Sequence, residues 1–311
     1  MKQSRYGLCV FLGGCCYGIL STFVKFAYKA GFTPNEVSGG QYLFGVLIIW
    51  LIFLFTKKQK FSLKQVLILL VSGIPFGLTS ICYYRALQSL NASLAIIFLF
   101  QFVWIGSLFD FIFNHHKPTK QKLISIVILL AGSLLASGVF AQSASFSLTG
   151  MLWGILSAFT YTAGMFLSGQ VEKDLPPVER SALLSTGGMI LIMILLRPDF
   201  FTDVTKLTAI APYASVLGLF GVALPPLLYA IGIPHVGTGL GTILSASELP
   251  VAVMMSYFVI GEQIGFMQWL GVLLIILAII AGNMQPKKIW LNHFSYGIAN
   301  FPIEDFFDSY Q

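Results

Sequence analysis

Charge is what this chain has least of. Of its 311 residues only 10% are Asp, Glu, Lys or Arg, against 57% hydrophobic, where a soluble globular chain carries roughly 25% charged residues. That scarcity excludes an ordinary water-soluble fold. The apolar content in turn excludes a disordered chain, which has too little to bury. The 18 Lys and Arg outnumber the 12 Asp and Glu by a formal +6. So few charges cannot coat a nucleic-acid-binding surface, and no nucleic-acid partner is expected. Cysteine is equally sparse: Cys9, Cys15, Cys16 and Cys82 lie inside apolar runs without ligand spacing and read as buried thiols. Catalytic signatures are missing too. His115-His116, His235 and His293 have no i,i+4 metal partner, and no nucleophile elbow surrounds any serine. No Gly-Lys-Ser/Thr phosphate loop occurs, so ATP would have to come from another chain. No metal or cofactor is expected.

What the chain does have is long apolar runs. Lys2 and Arg5 precede a stretch uncharged from Tyr6 to Val24, which is too long for a signal-peptide core of about 7–15 residues and reads as a retained first helix. A membrane helix needs roughly 20 mostly apolar residues. The candidates are 6–28, 37–55, 65–84, 91–113, 121–140, 148–170, 181–196, 209–232, 237–260 and 265–284. Two uncharged stretches have to be divided, one at the polar turn Ala141-Gln142-Ser143-Ala144-Ser145 and one at Pro234-His235-Val236-Gly237. With the N-terminus inside, the inner segments hold 13 of the 18 Lys and Arg and the outer ones 5, namely Lys25, Lys29, Arg85, Arg197 and Lys206. That bias predicts a multi-pass protein of the cell (plasma or inner) membrane with both termini cytoplasmic.

The chain also repeats itself. A shift of 143 residues brings Gly7 onto Gly150, Pro34 onto Pro177, Glu36 onto Glu179, Ser38 onto Ser181 and Gly45 onto Gly188. A shift of 147 brings Gln101 onto Glu248, Gln121 onto Gln268, Leu123 onto Leu270 and Ala131 onto Ala278. Each repeat holds five helices, an odd number, so the second copy enters the membrane from the opposite side, as in many secondary transporters. The expected fold is all-α and integral to the membrane, with ten transmembrane helices as two inverted five-helix repeats. Its units are 1–143, 144–285 and a cytoplasmic tail 286–311.

With these residues in view, the sequence resembles the EamA-type branch of the drug/metabolite transporter superfamily over about residues 5–285. The residues that carry the resemblance are the paired Pro-x-Glu motifs at Pro34 and Pro177, Lys117-Pro118-Thr119-Lys120 leading to Ala131-Gly132, and Ser247-Glu248-Leu249-Pro250-Val251 followed by Gly261-Glu262. Gln41 stands where the family often has Arg, Gln101-Phe102 where it has Glu-Pro, and Leu249 separates Glu248 from Pro250. The resemblance implies transport. Known members export amino acids and other metabolites, and some import.

Candidate site residues follow from polarity at membrane depth. Glu248 is central in 237–260, where a charge costs about 2.5–3.5 kcal/mol on insertion scales. It reads either as a cavity carboxylate that binds a substrate ammonium or a proton, or as a tie to a neighbouring helix. Gln101 is its repeat mate. Lys25 can snorkel to the interface or hold a substrate carboxylate, while Asp110 reads as a loop-pairing residue. Gly73 and Pro75 interrupt the third span, and Pro225 and Pro226 interrupt the eighth. Paired interruptions point to a midplane site. Tyr84, Tyr229 and Trp104 are candidate pathway aromatics beside packing and interface roles. The expected function is secondary-active or facilitative transport of small metabolites, amino-acid-like or otherwise amphipathic, outward and by alternating access. The partners are a small-molecule substrate, the lipid bilayer and a candidate proton. The alternatives are a membrane-embedded enzyme using Glu248 as acid/base and a non-transporting helper subunit.

Overall fold

The computed structural model describes residues 2–56, 62–90, 92–139, 147–198 and 204–283. The expected turn at Ala141–Ser145 and the tail 286–311 lie outside them. Helices account for the membrane-crossing segments, as they must where no water is available to satisfy backbone groups. In the first half they are α1 (Lys2–Lys29), α2 (Pro34–Leu54), α3 (Leu63–Ser89), α4 (Ala92–Leu99) with α5 (Phe102–Asn114), and α6 (Lys120–Ala136). In the second half they are α7 (Leu148–Gln170), α8 (Pro177–Leu196), α9 (Val204–Gly218) with α10 (Leu224–Val236), α11 (Thr238–Ser245) with α12 (Glu248–Met255), and α13 (Phe266–Asn283). Among the described residues nine segments are long and apolar enough to cross a membrane. The remaining one, α6, has 17 residues, about 25 Å of rise, with two lysines in its first turn to reach the interface.

Local chemistry sets the helix ends. Thr33 caps α2 in a capping box with Glu36, and Pro34 takes the first turn, where its missing N–H costs nothing. In the second half Pro176-Pro177 precedes α8. The seventh span therefore begins at Pro177, four residues before the start expected from hydropathy. Between α10 and α11 the chain turns at Gly237, whose φ of +79° favours glycine.

The two halves are packed as pseudo-symmetric partners. α1 lies on α10 as α7 lies on α3, and α2 lies on α9 as α8 lies on α3. Three contacts join corresponding spans: α2 with α8, α6 with α13, and the fourth with the ninth through α5 and α11. Close crossings recur at matching places, with Gly45 against Gly218 and Gly188 against Gly73. A Cβ on Gly45 would stand 2.8 Å from the Gly218 carbonyl oxygen, closer than packed atoms tolerate. Gly45→Val is expected to lower stability by about 1–3 kcal/mol through overpacking. A thermal melt of the purified protein in detergent checks this, and an unchanged midpoint would contradict the crossing.

One sequence expectation about helix breaks needs correction. The third span is not interrupted: α3 runs unbroken through Gly73 and Pro75. One proline removes one donor, and the helix keeps its other bonds because the membrane offers no competitor. The eighth span does carry a defect, a widened π-type turn at Leu219–Ala223 just before Pro225-Pro226. The sharper paired breaks lie elsewhere, at Phe100-Gln101 between α4 and α5 and at Ala246-Ser247 between α11 and α12. Both are tight turns with i→i+3 bonds: Gln101 N to Phe98 O at 3.3 Å, and Ser247 N to Leu244 O at 3.3 Å. In the second half the cause is legible. Pro250 has no N–H for Ala246 O, which takes Leu249 N instead, at 3.3 Å.

Candidate functional site

A central cavity of about 1060 Å³ opens between the halves. Its wall comes from α1, α2 and α3, the break at Phe100, the end of α6, and then α7, α8, α10, α12 and the loop before α13. Among the described residues six tyrosines line it: Tyr17, Tyr28, Tyr42, Tyr83, Tyr84 and Tyr161. Lys25 near the end of α1, Gln268 at the start of α13 and Gly138 after α6 all border it, so its mouth faces the side of the molecule on which α1 ends.

Among the described residues Glu248 is the acidic group inside the cavity. It sits in the first turn of α12, immediately after the break, half-buried and lining the cavity. Among the described residues its carboxylate makes no hydrogen bond and no ion pair. The break is drawn close to α1 by Gly14 and Gly18, four residues apart on one helix face. A Cβ on Gly14 would meet Ser247 and Ser245, and one on Gly18 would meet Glu248 and Val251. Ser247 Oγ also donates to Phe11 O at 2.7 Å. This small-residue pair is sequence-visible, and polarity-based reasoning passes over it. Below Glu248, Tyr161 and Tyr229 share a hydroxyl hydrogen bond of 2.8 Å. Tyr17 packs edge-on to Tyr161 at 5.8 Å between centroids.

At the mouth, Lys25 Nζ donates to Glu262 Oε1 at 2.6 Å, and each side chain is 44% exposed. That hydrogen bond holds the Glu262 carboxyl below the usual carboxylate range. The pair is charged at neutral pH and is lost only as the pH falls through that lowered value. On the opposite face, Gln170 Nε2 donates to Asn114 Oδ1 at 3.0 Å, and Asn114 Nδ2 to Asp110 Oδ1 at 2.9 Å. Lys122 reaches Asp110 at 4.0 Å. Asp110 is 4% exposed, so the pairing expected of it occurs inside the packed end of the fold. His235 stacks on Tyr6 at 3.6 Å on this same face.

The other sequence candidates divide. Tyr84 and Pro226 line the cavity with Glu248 and Lys25. Tyr229 stands behind Tyr161, fully buried. Gln101 does not enter the cavity: its Nε2 donates to Ile97 O at 3.1 Å, and its Oε1 accepts from Trp104 Nε1 at 2.8 Å. The physical reason is the tight turn, which sends Gln101 N to Phe98 O and leaves Ile97 O for the side chain. Trp104 is 41% exposed on the outer surface. Gly73 packs against the α8 backbone, and neither Gly73, Pro75 nor Pro225 borders the cavity. Gln41, which stands where the resembled family often has Arg, does border it. Among the described residues no three His, Cys, Asp or Glu side chains gather to hold a metal ion.

The comparisons with known proteins agree with this architecture. Residues 5–138 and 148–283 each match the model of the EamA-like transporter family. The uncharacterized transporter YcbK of Bacillus subtilis (strain 168) is 24% identical over 281 residues, covering 84% of this chain and 87% of its own. The uncharacterized transporter YwfM of the same organism is 25% identical over 176 residues, 55% of this chain and 57% of its own. One solved crystal structure superposes with a TM-score of 0.72 at 14% identity, covering 88% of this chain and 98% of that one. It bears on the fold alone. Among the described residues ten helical spans, nine of them long and apolar enough to cross a membrane, a cavity between the two repeats and a family match across both halves lead to one conclusion: the chain belongs to the EamA-like transporter family, within the drug/metabolite transporter superfamily, and is a multi-pass membrane transporter.

Proposed function

We propose that this chain is a secondary-active or facilitative carrier of small metabolites, working outward by alternating access between its two five-helix repeats. The observation that carries the reading is the Glu248 carboxylate, unpartnered among the described residues, on a helix break in a cavity lying between the halves. Broken helices near the midplane are where carriers of inverted-repeat architecture hold their ligands. The cavity opens on the side where α1 ends, and the Tyr161–Tyr229 pair and the Gln170–Asn114–Asp110 chain occupy the other side. Exchange of the two faces would move the opening across the membrane. The 13:5 distribution of Lys and Arg supports cytoplasmic termini, which makes this conformation the outward-open one. A proton is the candidate coupling ion, with Glu248 its carrier.

The test is flux. Purified protein in liposomes loaded with a cell metabolite extract is expected to release at least one solute faster than protein-free liposomes, with and without an imposed pH gradient. Mass spectrometry of the external medium identifies it. No release of any solute under either condition would sink the carrier reading. A rate indifferent to the gradient would remove proton coupling alone.

A further inference from the structure

Among the described residues three charged side chains line the cavity: Lys25, Glu248 and Glu262. Lys25 and Glu262 neutralise one another at the mouth, 2.6 Å apart, and the interior keeps one net negative charge, that of Glu248. Resting on the carrier reading above, we infer that the cavity selects a small organic cation with an apolar or aromatic body and no carboxylate, its charge held by Glu248 and by the faces of the surrounding tyrosines.

The case against an anion or zwitterion is an inventory of what could hold a carboxylate. Such a group deep in a low-dielectric cavity needs a cation or several oriented N–H donors. Lys25 is committed to Glu262. Arg180 is 2% exposed, does not line the cavity, and donates to the backbone carbonyls of Ser168 and Ala230. Helix N-termini are the other common carboxylate receptors; at the start of α13 Gly265 N already donates to Gln268 Oε1 at 3.1 Å, and α10 and α12, which also border the cavity, are spoiled for the purpose. α10 begins Leu224-Pro225-Pro226, so two of its first three residues carry no N–H. α12 begins with Glu248 itself, whose own carboxylate sits in the first turn.

The case for a cation is positive as well. Glu248 has no counter-charge among the described residues, and the insertion cost of a bare carboxylate falls when a ligand cation supplies one. Tyrosine rings attract cations through their π faces, most strongly where water is excluded. Tyr17 and Tyr161 meet edge to face near Glu248, and Tyr83 and Tyr84 stand 6.3 Å apart between centroids on α3. Phe76, Phe100 and Leu20 supply apolar wall for the body of the ligand.

Three probes of similar size separate the possibilities: benzyltrimethylammonium, phenylalanine and 3-phenylpropionate, titrated onto the full-length chain in detergent. Benzyltrimethylammonium is expected to bind at least about tenfold more tightly than the other two. Glu248→Gln is expected to erase that preference. Glu262→Gln, which frees Lys25, is expected to narrow it by strengthening phenylalanine and 3-phenylpropionate. If wild type binds phenylalanine or 3-phenylpropionate as well as the cation, the inference is overturned. Should those compounds also cross liposomes, the carrier reading stands regardless. Binding of none of the three overturns the inference too, while flux of some other solute in the liposome screen would again leave transport intact.

Discussion

Glu248→Gln is expected to bring carrier flux down by about 30-fold or more while leaving the protein as stable as wild type. The size follows from losing a charged contact of roughly 2–3 kcal/mol in a partly dehydrated site. The stability half of the expectation is what separates the two roles open to a membrane glutamate. A carboxylate that ties helices together must have a partner, and Glu248 makes no hydrogen bond or ion pair among the described residues. Removing its charge therefore breaks no internal bond. Flux in liposomes and a thermal melt in detergent, run on the same preparation, give both readings. Wild-type flux would end its role in binding or coupling. Lost flux with a fallen melting midpoint would instead mark Glu248 as a structural tie. Glu248→Asp keeps the charge with a shorter reach and is expected to retain part of the flux.

Arg180→Met is expected to do the reverse, with stability lost first. Arg180 is nearly fully buried near the start of α8 and answers two carbonyls that no backbone amide can serve. Ser168 O belongs to the last turn of α7, beyond which no helical N–H follows. Ala230 O faces Pro234, which has no N–H, and Arg180 donates to it at 3.2 Å. Hydrogen bonds from a charged donor are worth roughly 1.5–3 kcal/mol each, so the loss is expected to be about 2–4 kcal/mol after the desolvation of the guanidinium is returned. Denaturation in detergent measures it, and Arg180→Lys, which can reach one carbonyl, is expected to fall between. A more stable Arg180→Met would show that burying the charge outweighs both bonds.

The contrast between these residues shows what was readable in the sequence. Glu248 stood out because a charge in the middle of an apolar span is visible in one dimension. Helix number, repeat and family were legible for the same reason, since hydropathy, an odd helix count and the Pro-x-Glu motifs are properties of the chain itself. Arg180 did not stand out: it lies within a few residues of Lys173 in sequence and reads as one more loop charge, although packing draws it inside. Gln101 was readable as the mate of Glu248 but not as turned onto Ile97 O, because no proline marks the break in α4 and α5 as Pro250 marks the other. Pro75 shows the opposite error. A helix breaker in the sequence need not break a membrane helix when the remaining backbone bonds have no alternative.

Arg180 has a companion one helix face further along. Ser185 Oγ donates at 2.8 Å to Val222 O, the carbonyl that Pro226 leaves without an amide. Two carbonyls left without an amide by prolines of the eighth span are thus bonded to α8 at two heights, and shearing them apart would break both bonds. In the carrier proposed above, α8 and α10 would therefore move as a single lever. Against them, α1 meets the α11–α12 elbow through glycines and one serine hydroxyl bond, a bearing surface with little to break when it slides.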